Sequence, residues 1–296
     1  MTRSACVFCI DDAYLMPFQV FFHSLENTNS IPTTASLFIL HTAALSSTSI
    51  GRLEAFLGRY GRSASFVDAT SLIPVDLPIR PGDHVSPATF YRLWIAEILP
   101  AEIEQAVYLD ADMLALRSIA PLFNEPVQGL VAAADHCSPT NEIRLWGERG
   151  GTYFQAGVLV IPLQIWREQE ILQRFLEVMA NQQERIQWWD QDVLNIALRD
   201  HWQRLSIWCN VCEAVHQALP LPLIETQAAL IHYSGSSKPW NAYNPSPFTA
   251  NWDQAYEAVF RHPFNREALR PPRPPLPTRL KAAVRSRIAR LVHGRQ

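Results

Sequence analysis

The chain alternates short apolar segments with longer amphipathic ones, and this alternation limits the folds open to it more than any other feature. The segments "ACVFCI" (5–10), "ASLFIL" (35–40) and "ASFVDA" (64–69) have the length and composition of buried strands. Between them lie "MPFQVFFHSLENT" and "SSTSIGRLEAFLGRYG", whose apolar residues recur near the helical period. Strands that alternate with helices predict βαβ units, and therefore an α/β fold with a mostly parallel central sheet.

Several of the predicted strands end in carboxylates. Asp11 and Asp12 follow the first strand, Asp110 follows "QAVYL", and Asp135 ends "LVAAAD". The carboxyl ends of parallel strands share one edge of an open sheet, and ligands bind there. Acids that gather at this edge repel one another unless a cation neutralises them. The pattern therefore predicts a divalent ion, Mg²⁺ or Mn²⁺, that carries an anionic, phosphorylated ligand.

The spacing within Asp110-Ala111-Asp112 suits a metal site. In an extended chain, residues i and i+2 share a face, and in a turn after a strand both carboxylates can reach one ion. The small Ala111 side chain leaves room for a ligand beside the backbone. Because Asp-x-Asp is a common pattern, a solvated turn explains this motif better than a metal site does when the motif is taken alone.

Composition narrows the class of protein further. The 296 residues contain no apolar window of 18 or more, so we predict no membrane-spanning helix. The N-terminus lacks a secretory pattern and the five cysteines suit a reducing compartment, so we expect a cytoplasmic protein. The pairs Cys6/Cys9 and Cys209/Cys212 have zinc-ligand spacing, but the first pair lies within a strand, whose alternating side chains oppose a zinc cluster.

Charge is distributed unevenly along the chain. Residues 1–262 hold 16 basic and 27 acidic residues, a net charge of −11, whereas residues 263–296 hold nine basic residues and one acidic residue, a net charge of +8. We predict a main domain over 1–262, a proline-rich linker over 263–278 and a basic amphipathic tail over 279–296. Such a tail is typical of binding to an anionic membrane surface, whereas the acidic main domain opposes nucleic-acid binding.

Seven stretches occur in an order that points to a known family. They are "CIDDAYLMPF", "HVSPATFYRL", "VYLDADMLAL", "AAADH", "FQAGVLVI", "WWDQDVLN" and "IHYSGSSKPW". In these stretches the chain resembles the family 8 glycosyltransferases, the retaining enzymes that include bacterial lipo-oligosaccharide α-galactosyltransferases and lipopolysaccharide glucosyltransferases. The resemblance implies a GT-A-like, Rossmann-type nucleotide-binding fold, with 1–262 as the catalytic domain and a C-terminal helical tail.

The resemblance also implies a metal site beside a donor site. Asp110 and Asp112 would bind Mn²⁺, with Mg²⁺ as the alternative, and His232 would be the third protein ligand. Gly235 would let the backbone approach the donor diphosphate, and Lys238 would place a positive charge on it. The positions implied to bind the nucleotide sugar are Ile10, Asp11, Asp12, Tyr14, Arg92, Asp110, Ala111, Gly235 and Lys238.

A second set of positions is implied around the sugars. Some relatives carry Asn where this chain has Gln155, and many carry Asn where it has Ala13, so both contacts are expected to differ here. Asp190 and Gln191 are the implied catalytic pair, and "DQD" also predicts Asp190 as the N-cap of a helix. The positions implied to contact donor or acceptor sugar are His84, Asp135, Gln155, Ala156 and Gly157.

The implied reaction moves a hexose, galactose or glucose, from a UDP-sugar to a saccharide or lipid-linked saccharide acceptor with retention at the anomeric carbon. We expect front-side attack by the acceptor hydroxyl, because the neutral amide of Gln191 is a poor nucleophile. The protein would work at the inner face of the cytoplasmic membrane, held there by its tail. Two alternatives stay open: a nucleotidyltransferase, which normally needs a Gly-rich basic loop that this N-terminus lacks, and a nucleotide-sugar-binding protein without turnover.

Overall fold

A computed structural model describes residues 3–73, 76–80, 85–147, 153–236, 238–242 and 246–269. His84, residues 270–278 of the predicted linker and the whole predicted tail 279–296 lie outside the described residues. Within the described part, no helix has both the length and the hydropathy needed to cross a membrane.

The strands of the described residues form one large sheet and one small sheet. The strands are β1 (Ser4–Ile10), β2 (Ser36–His41), β3 (Ser65–Asp68), β4 (Gln105–Leu109), β5 (Met113–Ala115), β6 (Val131–Asp135), β7 (Phe154–Pro162), β8 (Trp202–Leu205) and β9 (Leu230–His232).

The large sheet has the strand order β3-β2-β1-β4-β7-β6-β8. Every neighbouring pair is parallel except the two that involve β7, which runs antiparallel to β4 and to β6. The small sheet pairs β5 with β9 in antiparallel register. This arrangement confirms the predicted α/β class with a mostly parallel sheet, and the reversed β7 is a feature that the sequence pattern did not reveal.

The described residues also form ten α-helices. They are α1 (Leu15–Asn27), α2 (Ser47–Gly58), α3 (Ile95–Ile98), α4 (Pro139–Trp146), α5 (Leu163–Glu168), α6 (Ile171–Asn181), α7 (Trp189–Ala197), α8 (Glu213–Ala218), α9 (Leu221–Gln227) and α10 (Thr249–Phe260).

Two helix predictions need correction. The continuous periodicity of residues 164–182 predicts one long helix, but the chain breaks between α5 and α6, where Glu170 adopts a left-handed backbone with φ of 49°. Asp190 is not an N-cap, because α7 already begins at Trp189. The buried carboxylate of Asp192 instead accepts hydrogen bonds from the backbone N–H groups of Gln187 and Trp188, each at 2.7 Å.

The alternation of side chains along the central strands divides the core into two layers. In β1, Ala5 and Val7 pack on the face that carries α3, α5, α6 and α7, whereas Cys6 and Phe8 pack on the face that carries α1 and α2. All four side chains are almost completely buried. Burial on both faces is typical of strands in a parallel sheet, and it holds the carboxyl ends of β1 and β4 side by side.

Candidate functional site

The Asp-x-Asp motif lies beside His232 because it connects β4 of the large sheet to β5 of the small sheet. Asp110 follows β4, and its backbone N–H donates to the carbonyl of Gly157 in the antiparallel strand β7, at 2.8 Å. Met113 opens β5 and pairs with His232 in β9. The register brings the imidazole beside both carboxylates although His232 lies more than a hundred residues farther along the chain.

Asp110, Asp112 and His232 form a cluster with the geometry of a metal site. Their three donor atoms lie within 4.8 Å of one another. His232 Nε2 is 3.1 Å from Asp112 Oδ1 and 3.6 Å from Asp110 Oδ2. Two carboxylates and an imidazole are donors that suit Mn²⁺, and hard oxygen donors also accept Mg²⁺.

Local packing supports a cation at this cluster. Asp112 Oδ1 is buried and accepts no hydrogen bond from the described residues, which is costly for a carboxylate oxygen unless an ion satisfies it. A Cβ on Gly157 would overlap the His232 ring and come within 2.8 Å of Asp110 Oδ2. Glycine at this position therefore keeps open the space that the donor atoms share. The residues present fit a divalent ion.

Lys238 completes this side of the site. Its Nζ lies 2.5 Å from Asp112 Oδ2 and also donates to the Tyr233 carbonyl. Burial by itself would raise the pKa of Asp112, but the positive charge of Lys238 and the neighbouring His232 imidazole outweigh it and hold that pKa well below its usual range. Asp112 is thus ionised at any physiological pH and available to a cation.

Arg92 links the metal cluster to the implied catalytic pair. Its guanidinium lies 2.9 Å from Asp110 Oδ1 and 2.8 Å from Asp190 Oδ2, and it donates to the Ala156 carbonyl at 2.6 Å. Burial lowers the pKa of Arg92, but the two carboxylates outweigh this and raise it above its usual range. Burial raises the pKa of Asp190 to about 7, against the opposing charge of Arg92. Tyr108 also donates to Asp110 Oδ1, at 2.6 Å.

The side-chain amide of Gln191 is held on both sides. Its Oε1 accepts from the Ala156 backbone N–H at 3.1 Å, and its Nε2 donates to the Tyr153 hydroxyl at 3.0 Å. Gln155 turns its own carbonyl inward, where Oε1 accepts from the Gly157 N–H at 2.5 Å and from Asn210 Nδ2 at 2.6 Å. The start of β7 thus contributes backbone and side-chain groups to both parts of the site.

Residues 10–14, at the end of β1, form the other wall of the candidate site. Asp11 accepts a hydrogen bond from the Ala13 N–H at 3.0 Å and caps a short 3₁₀ helix, whereas Asp12 is exposed. Burial raises the pKa of Tyr14 far above its usual range, and the nearby charges of Asp112 and Asp110 raise it further. The Ile10 side chain is buried in the core, so only its backbone can face a ligand.

Two predicted positions, Asp135 and Gly235, have surroundings that the sequence did not indicate. Asp135 pairs with Arg204 at 3.0 Å and accepts from the Cys137 N–H at 2.8 Å. A Cβ on Gly235 would overlap the carboxylate of Glu213, so this acid stands next to the expected diphosphate position. His84 lies outside the described residues.

The residues that sequence reasoning missed are Tyr108, Asn210 and Glu213. Tyr108 lies within a strand and reads as core, and Asn210 and Glu213 belong to "CNVCEA", where the cysteine spacing draws attention instead. The one local signal is that Asn210, a polar residue, stands in an otherwise apolar stretch. Its complete burial is visible only in the folded chain.

Comparison with known proteins identifies the relatives of this chain. Residues 5–244 match glycosyl transferase family 8. The chain is 25% identical over 260 residues to glycosyltransferase GlyF of Streptococcus pneumoniae, an alignment that covers 84% of this chain and 60% of GlyF. It is 28% identical over 185 residues to a lipopolysaccharide 1,2-glucosyltransferase of Escherichia coli, covering 58% of this chain and 54% of that enzyme. The chain thus spans little more than half the length of these two relatives.

Solved structures share the fold. The galactosyltransferase LgtC, in complex with donor and acceptor sugar analogs, matches with a TM-score of 0.73 and 22% identity, over 90% of this chain and 100% of that chain. Apo GlyE of Streptococcus pneumoniae matches with a TM-score of 0.65 and 23% identity, over 88% of this chain and 63% of that chain. These matches confirm the GT-A-like α/β fold.

Proposed function

Because the chain belongs to glycosyl transferase family 8, we propose that it moves a hexose, galactose or glucose, from a UDP-sugar to a saccharide acceptor, with Mn²⁺ as cofactor and retention at the anomeric carbon. The convergence of Asp110, Asp112 and His232 beside Lys238 is the observation that carries this proposal. A divalent ion and a lysine at one edge of the sheet are the groups that a nucleoside diphosphate leaving group requires.

The walls of the site suit the parts of such a donor. Tyr14 and Asp11 at the end of β1 would hold the uridine, and Lys238 would place its charge on the diphosphate. Asp190 and Gln191 would face the sugar. The bound ion would supply Lewis-acid stabilisation of the charge that develops on the departing diphosphate.

The bonding of the catalytic pair favours front-side attack. Both ends of the Gln191 amide are held by β7 and Tyr153, and Asp190 is paired with Arg92, so neither side chain is a free nucleophile. The acceptor hydroxyl would attack the anomeric carbon on the face from which UDP leaves. The bond to the phosphate oxygen breaks, the new glycosidic bond forms, and the hydroxyl proton passes to the departing phosphate. The carboxylate of Asp190 would stabilise the positive charge on the sugar ring.

The acceptor proposed is a saccharide or lipid-linked saccharide of lipopolysaccharide, lipo-oligosaccharide or another surface glycan. The names of two relatives support this: one is a lipopolysaccharide glucosyltransferase and the other a galactosyltransferase solved with an acceptor sugar analog. Neither name decides between galactose and glucose, so the donor must be found by experiment.

The test is release of UDP from chelator-treated protein. UDP-glucose, UDP-galactose and their N-acetyl forms would be supplied with Mn²⁺, with Mg²⁺ or without metal. We expect one hexose donor to release UDP with Mn²⁺, less with Mg²⁺ and none without metal. Donor binding without UDP release from any of the four, with or without simple sugar acceptors, would instead support a nucleotide-sugar-binding protein.

We also propose that residues 279–296 bind the protein to anionic lipid at the inner face of the cytoplasmic membrane. The composition of this segment supports the proposal, at about 1 kcal/mol for each basic residue near the surface. The test compares the full chain with one that ends after residue 269. A cut after residue 262 would be a poor comparison, because Arg266 pairs with Asp253 and donates to the Pro239 carbonyl beside Lys238. Equal binding of both proteins to anionic vesicles would contradict the proposal.

A further inference from the structure

A buried chain of hydrogen bonds leads from the backbone of β7 to His232. The Gly157 N–H donates to Gln155 Oε1 at 2.5 Å, Asn210 Nδ2 donates to the same oxygen at 2.6 Å, and Asn210 Oδ1 lies 2.9 Å from His232 Nδ1. Asn210 has no exposed surface, and Gln155 and His232 are almost as fully buried. None of these contacts involves an atom that would itself touch the metal.

The direction of each bond follows from the first one. A backbone N–H can only donate, so the Gln155 atom that faces Gly157 must be its carbonyl oxygen. The Asn210 atom that faces this oxygen must then be the amide nitrogen, which turns Asn210 Oδ1 towards His232. An amide oxygen can only accept, so His232 Nδ1 must carry a proton. This assignment settles the orientation of both amides from the hydrogen-bond pattern.

We propose that Asn210, oriented by Gln155, is the positioning residue of the metal site: it holds the proton of His232 on Nδ1 and leaves Nε2 as the ligand atom. Nε2 is the ring nitrogen that faces the two carboxylates, at 3.1 Å from Asp112 Oδ1 and 3.6 Å from Asp110 Oδ2, so it is the atom that must be free of a proton to bind an ion there. The proposal rests on the metal-dependent function proposed above. Histidines that bind metals are commonly held in this way by a group on the other ring nitrogen.

The same bonds limit what Gln155 can do for a sugar. Both acceptor sites of its carbonyl oxygen are occupied, by Gly157 and by Asn210. A sugar hydroxyl could reach only its Nε2, which donates. Gln155, which the family resemblance implies as a sugar contact, therefore supports the metal ligand through its carbonyl oxygen.

The test has two independent readouts. In the metal-free wild-type protein, a long-range ¹H–¹⁵N NMR spectrum should show a protonated Nδ1 on His232, assigned with His232→Ala as reference. By calorimetric titration with Mn²⁺ alone, Asn210→Ala should weaken binding by about 10- to 100-fold. Asn210→Asp keeps an acceptor for the Nδ1 proton but loses the donor to Gln155 Oε1, so it should bind Mn²⁺ more tightly than Asn210→Ala. Asn141→Ala is the matched control, because Asn141 is also buried but bonds to Trp188 and Arg144.

The readouts separate this proposal from the proposed function. An unprotonated Nδ1 in the wild-type protein would overturn the role of Asn210 whatever the metal does, and so would unchanged Mn²⁺ affinity in a folded Asn210→Ala protein. If Asn210→Ala does not fold, the NMR result decides. A protonated Nδ1 in a wild-type protein that binds no Mn²⁺ would leave the hydrogen-bond chain correct and refute the metal-dependent function.

Discussion

Asp112 and Asp190 are both buried acids with a cationic partner, Lys238 and Arg92 respectively, yet their pKa values move in opposite directions. The pKa of Asp112 is held far below its usual range by Lys238 and the neighbouring His232, although burial opposes this. The pKa of Asp190 rises to about 7, because burial dominates and the neighbouring cation Arg92 is shared with Asp110. Burial raises the pKa of both acids, and the positive charge around each acid decides whether this rise is overcome.

This contrast separates two tasks within one site. Asp112 is kept ionised, as a carboxylate ligand of the proposed metal site must be. The pKa of Asp190 is about 7, so its carboxyl group can change its ionisation near neutral pH. Such a carboxyl group can respond to charge that develops during a reaction. Two acids that look alike in sequence thus have different properties, which the variants below can separate.

The largest effect is expected for Asp112→Asn. Loss of this carboxylate should reduce Mn²⁺-dependent UDP release by about 100- to 1,000-fold or more and remove measurable Mn²⁺ binding. Asp190→Asn should slow turnover but leave Mn²⁺ affinity near the wild-type value, since Asp190 does not join the cluster. Calorimetry and a UDP-release assay measure the two quantities. The exposed Asp200→Asn is the control, and equal loss of Mn²⁺ affinity in both buried variants would refute the separation.

A large effect is also expected for Gly157→Ala. This substitution tests the cluster of Asp110, Asp112 and His232 without removing any of its donor atoms. The added Cβ would overlap the His232 ring and crowd Asp110 Oδ2, so Mn²⁺ affinity should fall at least about tenfold and the protein should become less stable. Gly51→Ala is the matched control: it adds a methyl group to an exposed position of α2 with nothing within 4 Å, and should stabilise the protein by about 1 kcal/mol. Unchanged Mn²⁺ binding in Gly157→Ala would show that the cluster is not the metal site.

A moderate effect is expected in the pH dependence of the reaction. Because the pKa of Asp190 lies at about 7, its stabilising carboxylate is half ionised there, and kcat/KM for the donor should rise with pH through this value. Asp190→Asn should remove this rise and leave a flatter profile at a lower level. The measurement is the initial rate of UDP release between about pH 5.5 and pH 8.5, with Mn²⁺ at a saturating concentration at each pH. If kcat/KM still rises with pH in Asp190→Asn, another ionisable group causes the rise.

The parts of the fold that sequence predicts well are those with a local cause. The apolar runs that form β1, β2 and β4 act within a few residues. The N-cap of α2 is equally local, because the Ser49 N–H donates to Ser46 Oγ at 3.1 Å. The break at Glu170 and the reversal of β7 have no such cause. They depend on how distant elements pack, and the apolar sequence of β7 suits either direction in a sheet that is buried on both faces.

The candidate site shows the same division. Asp110, Asp112, His232 and Lys238 belong to motifs that can be read from the chain, and the structure brings them together. The polar groups that hold them cannot be read in this way. Asn210 supports His232 only because β9 places the two side by side, and Gln155 turns inward only because the Gly157 N–H is there to donate to it. Such supporting contacts join residues far apart in sequence, so no spacing rule reveals them.

The smallest effect is expected in the pH dependence of stability. Asp190 has a pKa of about 7 in the folded protein and of about 3.9 when unfolded. Between these values the folded state keeps a proton that the unfolded state has released, so the Asp190 contribution to the free energy of unfolding falls as pH rises, by at most about 1.4 kcal/mol per pH unit. Urea unfolding of Asp190→Asn between about pH 4.5 and pH 6.5 should therefore show a less negative slope than the wild type. Equal slopes would mean that Arg92 keeps Asp190 ionised throughout, and the two acids would then differ in position but not in charge.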